Sequence, residues 1–273
     1  MFNLNNNFHI LSGFNFGEVK KIEELAREYT LWGQFPECLK MPQDGTSAVS
    51  YIRESVIGKI LQDIIIIYKI RKSDDFKIVA YYFINNSSSI FEVDNIAREA
   101  GISPLTINKY IKYLTKGYLM DVLFKEHRTI VKRGRILKKA YAASPNFISS
   151  INGYTSPNFD QVPEAFGKII EGAVFNFIKS KYGNAGTAGE NVYFWRNGQK
   201  EIDFIVSKGK AKIPVEVKFS NNFNLNELKP MVEYLENKKI PYGIVVTKKD
   251  LGEKIINGQK LYFIPYHLFL LVF

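Results

Sequence analysis

Two short runs in the C-terminal third of the chain alternate apolar and charged residues, and this period of two constrains the fold most. The run 201–206 carries Asp203, and the run 213–219 carries Glu216 and Lys218 two positions apart. Since successive side chains of a strand point to opposite faces of a sheet, each run predicts a strand with one apolar and one charged face. Charges on a face that helices also cover would be unusual unless they line a site.

The residues around these runs predict an α/β domain over 163–273. Asn197-Gly198, just before the first run, is a hairpin signal. A helical pattern precedes the hairpin and carries Glu171 at the edge of its apolar stripe. The elements expected beside the two runs are helices at 163–182 and 226–237 and strands at 192–196, 242–247 and 261–264.

Glu171, Asp203, Glu216 and Lys218 form a candidate catalytic quartet. Three carboxylates from a helix and two adjacent strands can converge on one or two divalent cations, Mg²⁺ or Mn²⁺. Such a cation neutralises a phosphate, makes a water more acidic and stabilises the leaving oxygen, while a lysine on the same strand face steers the water or offsets charge. Glu-x-Lys alone is more often a surface ion pair. The preceding helix and the 12 residues between Asp203 and Glu216 make the pattern more specific.

Basic residues outnumber acidic ones, and the 273-residue chain is long enough for two or three modules. The formal net charge of +10 favours DNA over a membrane surface as partner, although a surface made soluble by lysine would give the same balance. The single cysteine, Cys38, and the lack of a signal-peptide pattern or a long apolar run predict a reducing, cytoplasmic setting without a membrane.

Ahead of the α/β domain, the chain predicts a helical segment at its start and a linker further on. Residues 1–72 form the N-terminal helical segment, with amphipathic patterns at 19–29 and 46–72. Residues 144–162 are rich in Ser, Asn, Pro and Gly, which is typical of a linker or a long loop.

Residues 73–143 have the element order of a winged helix-turn-helix, the candidate DNA-binding module. They hold 12 Lys and Arg against 7 Asp and Glu. Ser103 is expected to cap a recognition helix at 104–116, and a basic hairpin follows as the wing. Alternatively, the module is only a packing joint and its lysines form a solvated face. The residues expected to contact DNA are Thr106, Asn108, Lys109, Lys112, Arg128, Lys132, Arg133 and Arg135.

Eight short motifs are shared with a known group of proteins. They are Gly33–Pro36, Tyr51–Val56, Asp63-Ile64, Ile102–Leu114, Gly167-x-x-x-Glu171, Tyr193–Arg196, Glu201–Phe204 and Val215–Lys218. On these motifs the chain resembles the C-terminal region of archaeal and bacterial P-loop ATPases of the AAA type. That region combines a winged helix with an uncharacterised PD-(D/E)XK nuclease-superfamily domain.

The resemblance implies an α+β chain that ends in a restriction-endonuclease-like α/β domain, with Asp203, Glu216 and Glu171 as metal ligands and Lys218 as the catalytic lysine. One departure is the lack of a Gly-x-x-x-x-Gly-Lys-[Ser/Thr] phosphate loop. No ATP site is therefore expected, and either an ATPase acts from another polypeptide or the chain is a fragment. The expected function is Mg²⁺-dependent hydrolysis of DNA phosphodiester bonds. The alternative is a non-catalytic DNA-binding or regulatory scaffold that partners an ATPase.

Overall fold

A computed structural model of the chain shows a mixed α+β protein and describes residues 13–42, 45–126, 137–155, 163–183, 191–220 and 223–272. The α-helices are α1 (Phe16–Glu28), α2 (Thr46–Tyr51), α3 (Gly58–Ile67), α4 (Ser73–Asn85), α5 (Val93–Ala100), α6 (Pro104–Lys116), α7 (Pro145–Asn152), α8 (Pro163–Tyr182), α9 (Lys229–Lys238) and α10 (Tyr266–Val272). The strands are β1 (Ile90–Phe91), β2 (Met120–Phe124), β3 (Lys138–Ala142), β4 (Val192–Asn197), β5 (Lys200–Lys208), β6 (Ala211–Lys218), β7 (Tyr242–Thr247), β8 (Gly252–Ile256) and β9 (Gln259–Pro265).

The chain divides into two compact units, each built around its own sheet. The three-stranded unit comprises Glu28–Phe124 and Gly134–Asn158. The six-stranded unit comprises Met1–Arg27, Lys125–Arg133 and Phe159–Phe273.

The three-stranded unit places its elements in the order α4, β1, α5, α6, β2, β3, with an antiparallel sheet in the order β1-β3-β2. The predicted start of α6 is confirmed, because the Ser103 side chain accepts a hydrogen bond from the Thr106 N–H at 3.2 Å and Pro104 is the first helical residue. Ile107 and Leu114 point inward and are fully buried. The sequence predicts the second strand of the wing at 129–131 or slightly later, and residues 129–131 lie outside the described residues.

The amphipathic pattern at 46–72 predicts one continuous helix, and this prediction is wrong. Instead, α2 runs into a π-helical turn at Ile52–Ile57 before α3 begins, and α3 ends at Ile67. A wider turn changes the angular phase of every residue after it, so a stripe drawn at constant spacing drifts off the core. Ile67, placed on the buried stripe by its spacing, is 69% exposed.

The linker predicted at 144–162 is wrong at its start, where α7 forms. Ser144 caps this helix by accepting a hydrogen bond from the Asn146 N–H at 3.2 Å, and Pro145 is the first helical residue. Gly153 ends it with φ at +70°, a conformation that favours glycine. Burial of α7 supplies the stability that its polar composition does not indicate.

Asn146 shows why a polar residue stands in this buried helix. Its amide nitrogen donates to the carbonyls of Tyr29 and Thr30 at 3.0 and 2.9 Å. Its side-chain oxygen accepts from the Gln34 N–H at 2.8 Å. These backbone groups belong to or follow a π-helical turn at Tyr29–Gly33, so the Asn146 side chain satisfies them where the helix cannot.

The six-stranded unit has the sheet order β4-β5-β6-β7-β9-β8. Strands β4, β5 and β6 are antiparallel, β6, β7 and β9 are parallel, and β8 is antiparallel to β9. The predicted hairpin is confirmed, with Gly198 at φ +60° between β4 and β5. Strand β8, at one edge of the sheet, was not predicted.

Helices cover both faces of this sheet. Phe204 of β5 stacks on Phe175 of α8, with ring centroids 6.1 Å apart. Its neighbour Ile205 belongs to the core cluster that contains Met231 and Leu235 of α9. Because adjacent strand residues point to opposite faces, α8 and α9 lie on opposite sides of the sheet. Glu216 of β6 is buried between these layers and Asp203 of β5 is half-buried, the condition under which charged strand residues indicate a site.

Candidate active site at a strand fork

Strands β5 and β6 separate at Asp203 and Glu216. Their backbone pairing runs from Lys208 and Ala211 to Phe204 and Val215 and then stops, although Asp203 and Glu216 are next in register. Beyond this point the two carboxylates, and not backbone carbonyls, accept the hydrogen bonds of backbone N–H groups on the opposite strand. Glu216 Oε2 accepts from the Asp203 N–H at 3.1 Å, and Asp203 Oδ2 accepts from the Val217 N–H at 2.9 Å. We call this place the strand fork.

The strand fork fixes both carboxylates against rigid backbone. Strand β6 still pairs with β7 through Glu216, Val217 and Lys218, so only its β5 side is open. Each carboxylate is oriented by an N–H of the opposite strand, and the second oxygen of Glu216 pairs with Lys218. Two hard oxygen ligands therefore lie side by side at the carboxyl end of a parallel strand, where α/β folds commonly bind ligands.

Glu216 is enclosed more completely than a surface carboxylate. It is 7% exposed. Burial, and then the charge of Asp203, raise the pKa of Glu216 to about 8, although the Lys218 ammonium opposes the shift. Near neutral pH, Glu216 therefore holds a proton that a bound cation would have to displace.

Lys218 brings a positive charge to the strand fork. Its Nζ lies 3.0 Å from Glu216 Oε1 and 3.5 Å from Glu227 Oε2. Burial acts to lower the pKa of Lys218, but the charges of Glu216, Asp203 and Glu227 outweigh burial and raise it above its ordinary value. The ammonium therefore stays charged and close to any anion that enters the fork.

Glu171 lies in α8, the helix that packs against β5 and β6, and its side chain is partly buried. The residues that the structure describes contain no group of three or more His, Cys, Asp or Glu side chains placed to hold a metal ion. The structure thus brings Asp203, Glu216 and Lys218 together, while the ligand role of Glu171 stays a prediction.

The predicted DNA-contacting residues of α6 lie on the first three turns of that helix. Lys109 and Lys112 are exposed. Thr106 is half-buried, with its hydroxyl 2.9 Å from that of Ser103, and Asn108 donates its amide to the Pro104 carbonyl at 3.0 Å. Asn108 keeps its side-chain oxygen and its second amide N–H for contact with a base. The remaining predicted contacts lie outside the described residues: Arg128, Lys132, Arg133 and Arg135.

Sequence reasoning missed two charged residues near the strand fork. Glu227 was not singled out, although Asn224-x-x-Glu227 has the spacing of a capping box, and the structure shows one at Leu225–Leu228. Lys248 directly follows Thr247, the β7 partner of Lys218, and is buried with its Nζ 5.5 Å from the centre of the Phe219 ring. Its position after a buried parallel strand was the available signal.

Comparison with known proteins finds two domains that have no assigned function. Residues 166–269 match the domain of unknown function DUF4143, which contains the whole quartet. DUF4143 occurs at the C-terminus of AAA-ATPase-associated proteins, in agreement with that part of the resemblance. Residues 23–148 match the domain of unknown function DUF8612. No curated protein and no solved structure matches the chain.

No helix in the described part of the chain combines the length and the hydrophobicity that are needed to cross a lipid bilayer.

Proposed function

We propose that the six-stranded unit hydrolyses DNA phosphodiester bonds with the help of Mg²⁺ or Mn²⁺. The observation that carries this proposal is the strand fork, where Asp203 and Glu216 lie opposite each other and Lys218 contacts Glu216. Order and spacing of these residues, on an antiparallel hairpin followed by a parallel strand, support the resemblance to PD-(D/E)XK nucleases.

The donor set fits Mg²⁺. This cation prefers oxygen ligands and is commonly bound by one or two protein carboxylates, several waters and the phosphate of the substrate. Asp203 and Glu216 supply two carboxylates, and Glu171 would complete the shell as the sequence predicts. A cation bound there would neutralise phosphate charge and polarise the bond to be broken.

The chain's own residues have distinct tasks in this reaction. The backbone N–H groups of Asp203 and Val217 hold the two carboxylates in place, so that little reorganisation is needed when a cation arrives. Lys218 donates hydrogen bonds to the oxygens on which charge develops, or orients the attacking water. The helices on both faces of the sheet exclude bulk water and strengthen these interactions.

The three-stranded unit is proposed to hold the DNA. Its order of elements and its three-stranded antiparallel sheet support the winged-helix prediction. The exposed Lys109 and Lys112 on α6 suit phosphate oxygens, which position a duplex without reading its sequence.

A second candidate function is a non-catalytic scaffold that partners a separate ATPase. Two observations favour it. Glu216 is already paired with Lys218, and the described residues contain no group of three metal-binding side chains. DUF4143 also occurs in AAA-ATPase-associated proteins, which makes an ATPase a reasonable partner.

Cleavage assays distinguish the two functions. The full chain is incubated with Mg²⁺ or Mn²⁺ and with linear duplex, single-stranded, flap and junction DNA, beside Glu216→Ala and Lys218→Ala. Glu233→Ala is the matched control, because this half-buried α9 carboxylate pairs only with the surface residue Lys200 among the described residues. Nuclease function predicts cleavage that only the first two variants lose. Inactivity of the wild type on every DNA, with no cation binding by calorimetry, supports the scaffold.

A further inference from the structure

Glu227 contacts two different parts of the six-stranded unit. It stands in the 3₁₀ turn Leu225–Leu228, between β6 and α9. Its Oε1 accepts from the Asn224 N–H at 3.0 Å, and its Oε2 lies 3.5 Å from Lys218 Nζ. One oxygen thus belongs to a capping box, while the other faces the strand fork.

The capping box fixes the direction of the second oxygen. Asn224 closes the box by accepting from the Asn226 N–H at 2.9 Å, so the two side chains fix the start of the turn reciprocally. A carboxylate tied to backbone through one oxygen loses most of its rotamer freedom. Its other oxygen is then pre-organised for Lys218.

Lys218 therefore stands between a buried carboxylate and a solvent-facing one. Glu216 is 7% exposed, while the Glu227 side chain is 49% exposed. A lysine stem has four rotatable bonds, so one partner fixes a distance but two partners fix a position. When Glu216 binds a cation, its oxygens turn to the cation and its hold on the ammonium weakens, so Glu227 is the carboxylate that remains.

We propose that Glu227 is a positioning residue that keeps the Lys218 ammonium at the strand fork while Asp203 and Glu216 bind a divalent cation. The proposal rests on the proposed function for its catalytic consequence, but the placement of Lys218 by Glu227 can be measured without catalysis. Glu227 acts through Lys218 and does not itself contact the substrate.

Two substitutions separate positioning from helix capping. Glu227→Gln keeps an oxygen for the Asn224 N–H, since glutamine also serves in a capping box, but removes the charge that faces Lys218. Asn224→Ala removes the cap and keeps that charge. Glu233→Gln makes the same chemical change as Glu227→Gln at a half-buried site on α9 that pairs with Lys200.

The experiment measures kcat and KM for DNA cleavage, the melting temperature, and the ¹H–¹⁵N resonance of the Lys218 ammonium in the full chain. Lys218→Met assigns that resonance. For Glu227→Gln we expect a fall in kcat of about 10- to 100-fold, the usual effect of removing such a supporting partner, with KM and melting temperature unchanged. The Lys218 resonance should shift in Glu227→Gln alone. Asn224→Ala should lower the melting temperature and keep most of kcat.

Two results would overturn the proposal. One is wild-type kcat and an unchanged Lys218 resonance in Glu227→Gln. The other is a parallel loss of kcat and melting temperature in Glu227→Gln and Asn224→Ala, which would make Glu227 a helix cap only. If the wild type cleaves none of the DNAs, the proposed function fails, and the resonance alone decides whether Glu227 positions Lys218.

Discussion

Binding of Mg²⁺ or Mn²⁺ at the strand fork is expected to release a proton from Glu216. The Glu216 carboxyl is buried beside Asp203, and its pKa is raised to about 8. A carboxyl must ionise before it can bind a cation. Cation and proton therefore compete for Glu216 at every pH below 8.

The size of the effect follows from this pKa. At pH 7 a group with a pKa of about 8 is roughly 90% protonated, so each cation bound should release about 0.9 proton. Apparent affinity should weaken about tenfold for each unit of pH below 8, or about 1.4 kcal/mol per unit, and become independent of pH above about 9. A solvated glutamate with an ordinary pKa would release almost no proton at pH 7.

Isothermal titration calorimetry measures this release directly. Titrations of the full chain with Mn²⁺ at pH 7, in buffers of different ionisation enthalpy, give the number of protons released as a slope. Glu216→Gln keeps the shape of the side chain and cannot titrate, so its slope should be close to zero. A zero slope for the wild type, or an affinity that is the same at pH 6 and pH 9, would refute the account of the buried Glu216.

Three further predictions concern other parts of the chain. His267 is buried, neither ring nitrogen has a hydrogen-bond partner among the described residues, and burial lowers its pKa to about 4. Because the unfolded chain then binds more protons, stability should fall by about 2 kcal/mol from pH 7 to pH 5 through this residue, and urea unfolding of His267→Phe should lack that part of the loss. Asn146→Ala removes three side-chain hydrogen bonds to backbone groups of Tyr29, Thr30 and Gln34 and should cost about 3 kcal/mol by urea unfolding at pH 7. The double variant Lys109→Ala/Lys112→Ala should weaken DNA binding and reduce the salt slope, measured by fluorescence anisotropy, by about 2.

Each of these has an outcome that would contradict it. If His267→Phe and the wild type lose the same stability between pH 7 and pH 5, a group other than His267 causes the loss. Asn146→Ala should lose more than Asn152→Ala, whose amide donates to the exposed Asn85 side chain and to the Ile148 carbonyl, and equal losses would contradict the role of Asn146. Unchanged DNA affinity in the lysine variant would favour α6 as a packing joint.

The placement of Asp203, Glu216 and Lys218 on neighbouring strands could be predicted because its signal is local. A period of two places Glu216 and Lys218 on one face of β6. Strand β5 breaks that period next to Asp203, because Tyr193 pairs with Ile205 while Trp195 pairs with Ile202. The interruption of pairing after Phe204 could not be predicted in the same way, since it arises only when two opposed carboxylates replace backbone acceptors.

Tertiary packing decided the elements that the sequence did not predict correctly. Helix α7 has good start and stop signals in Ser144, Pro145 and Gly153, but its polar composition is typical of a loop, and only burial makes it a helix. The π-helical turn at Ile52–Ile57 has no local signature. The raised pKa of Glu216 likewise depends on helices over both faces of the sheet, which no strand pattern reveals.

Single-turnover cleavage of an end-labelled DNA duplex by the wild type and by Asp203→Asn tests the central claim most directly. The asparagine keeps an oxygen for the Val217 N–H and removes the charge at the strand fork, while Asp74→Asn makes the same change at an exposed site in α4. The account predicts Mg²⁺-dependent cleavage that Asp74→Asn retains and Asp203→Asn loses by about 100-fold or more. Equal cleavage by all three proteins, or none by the wild type with either cation, would contradict it.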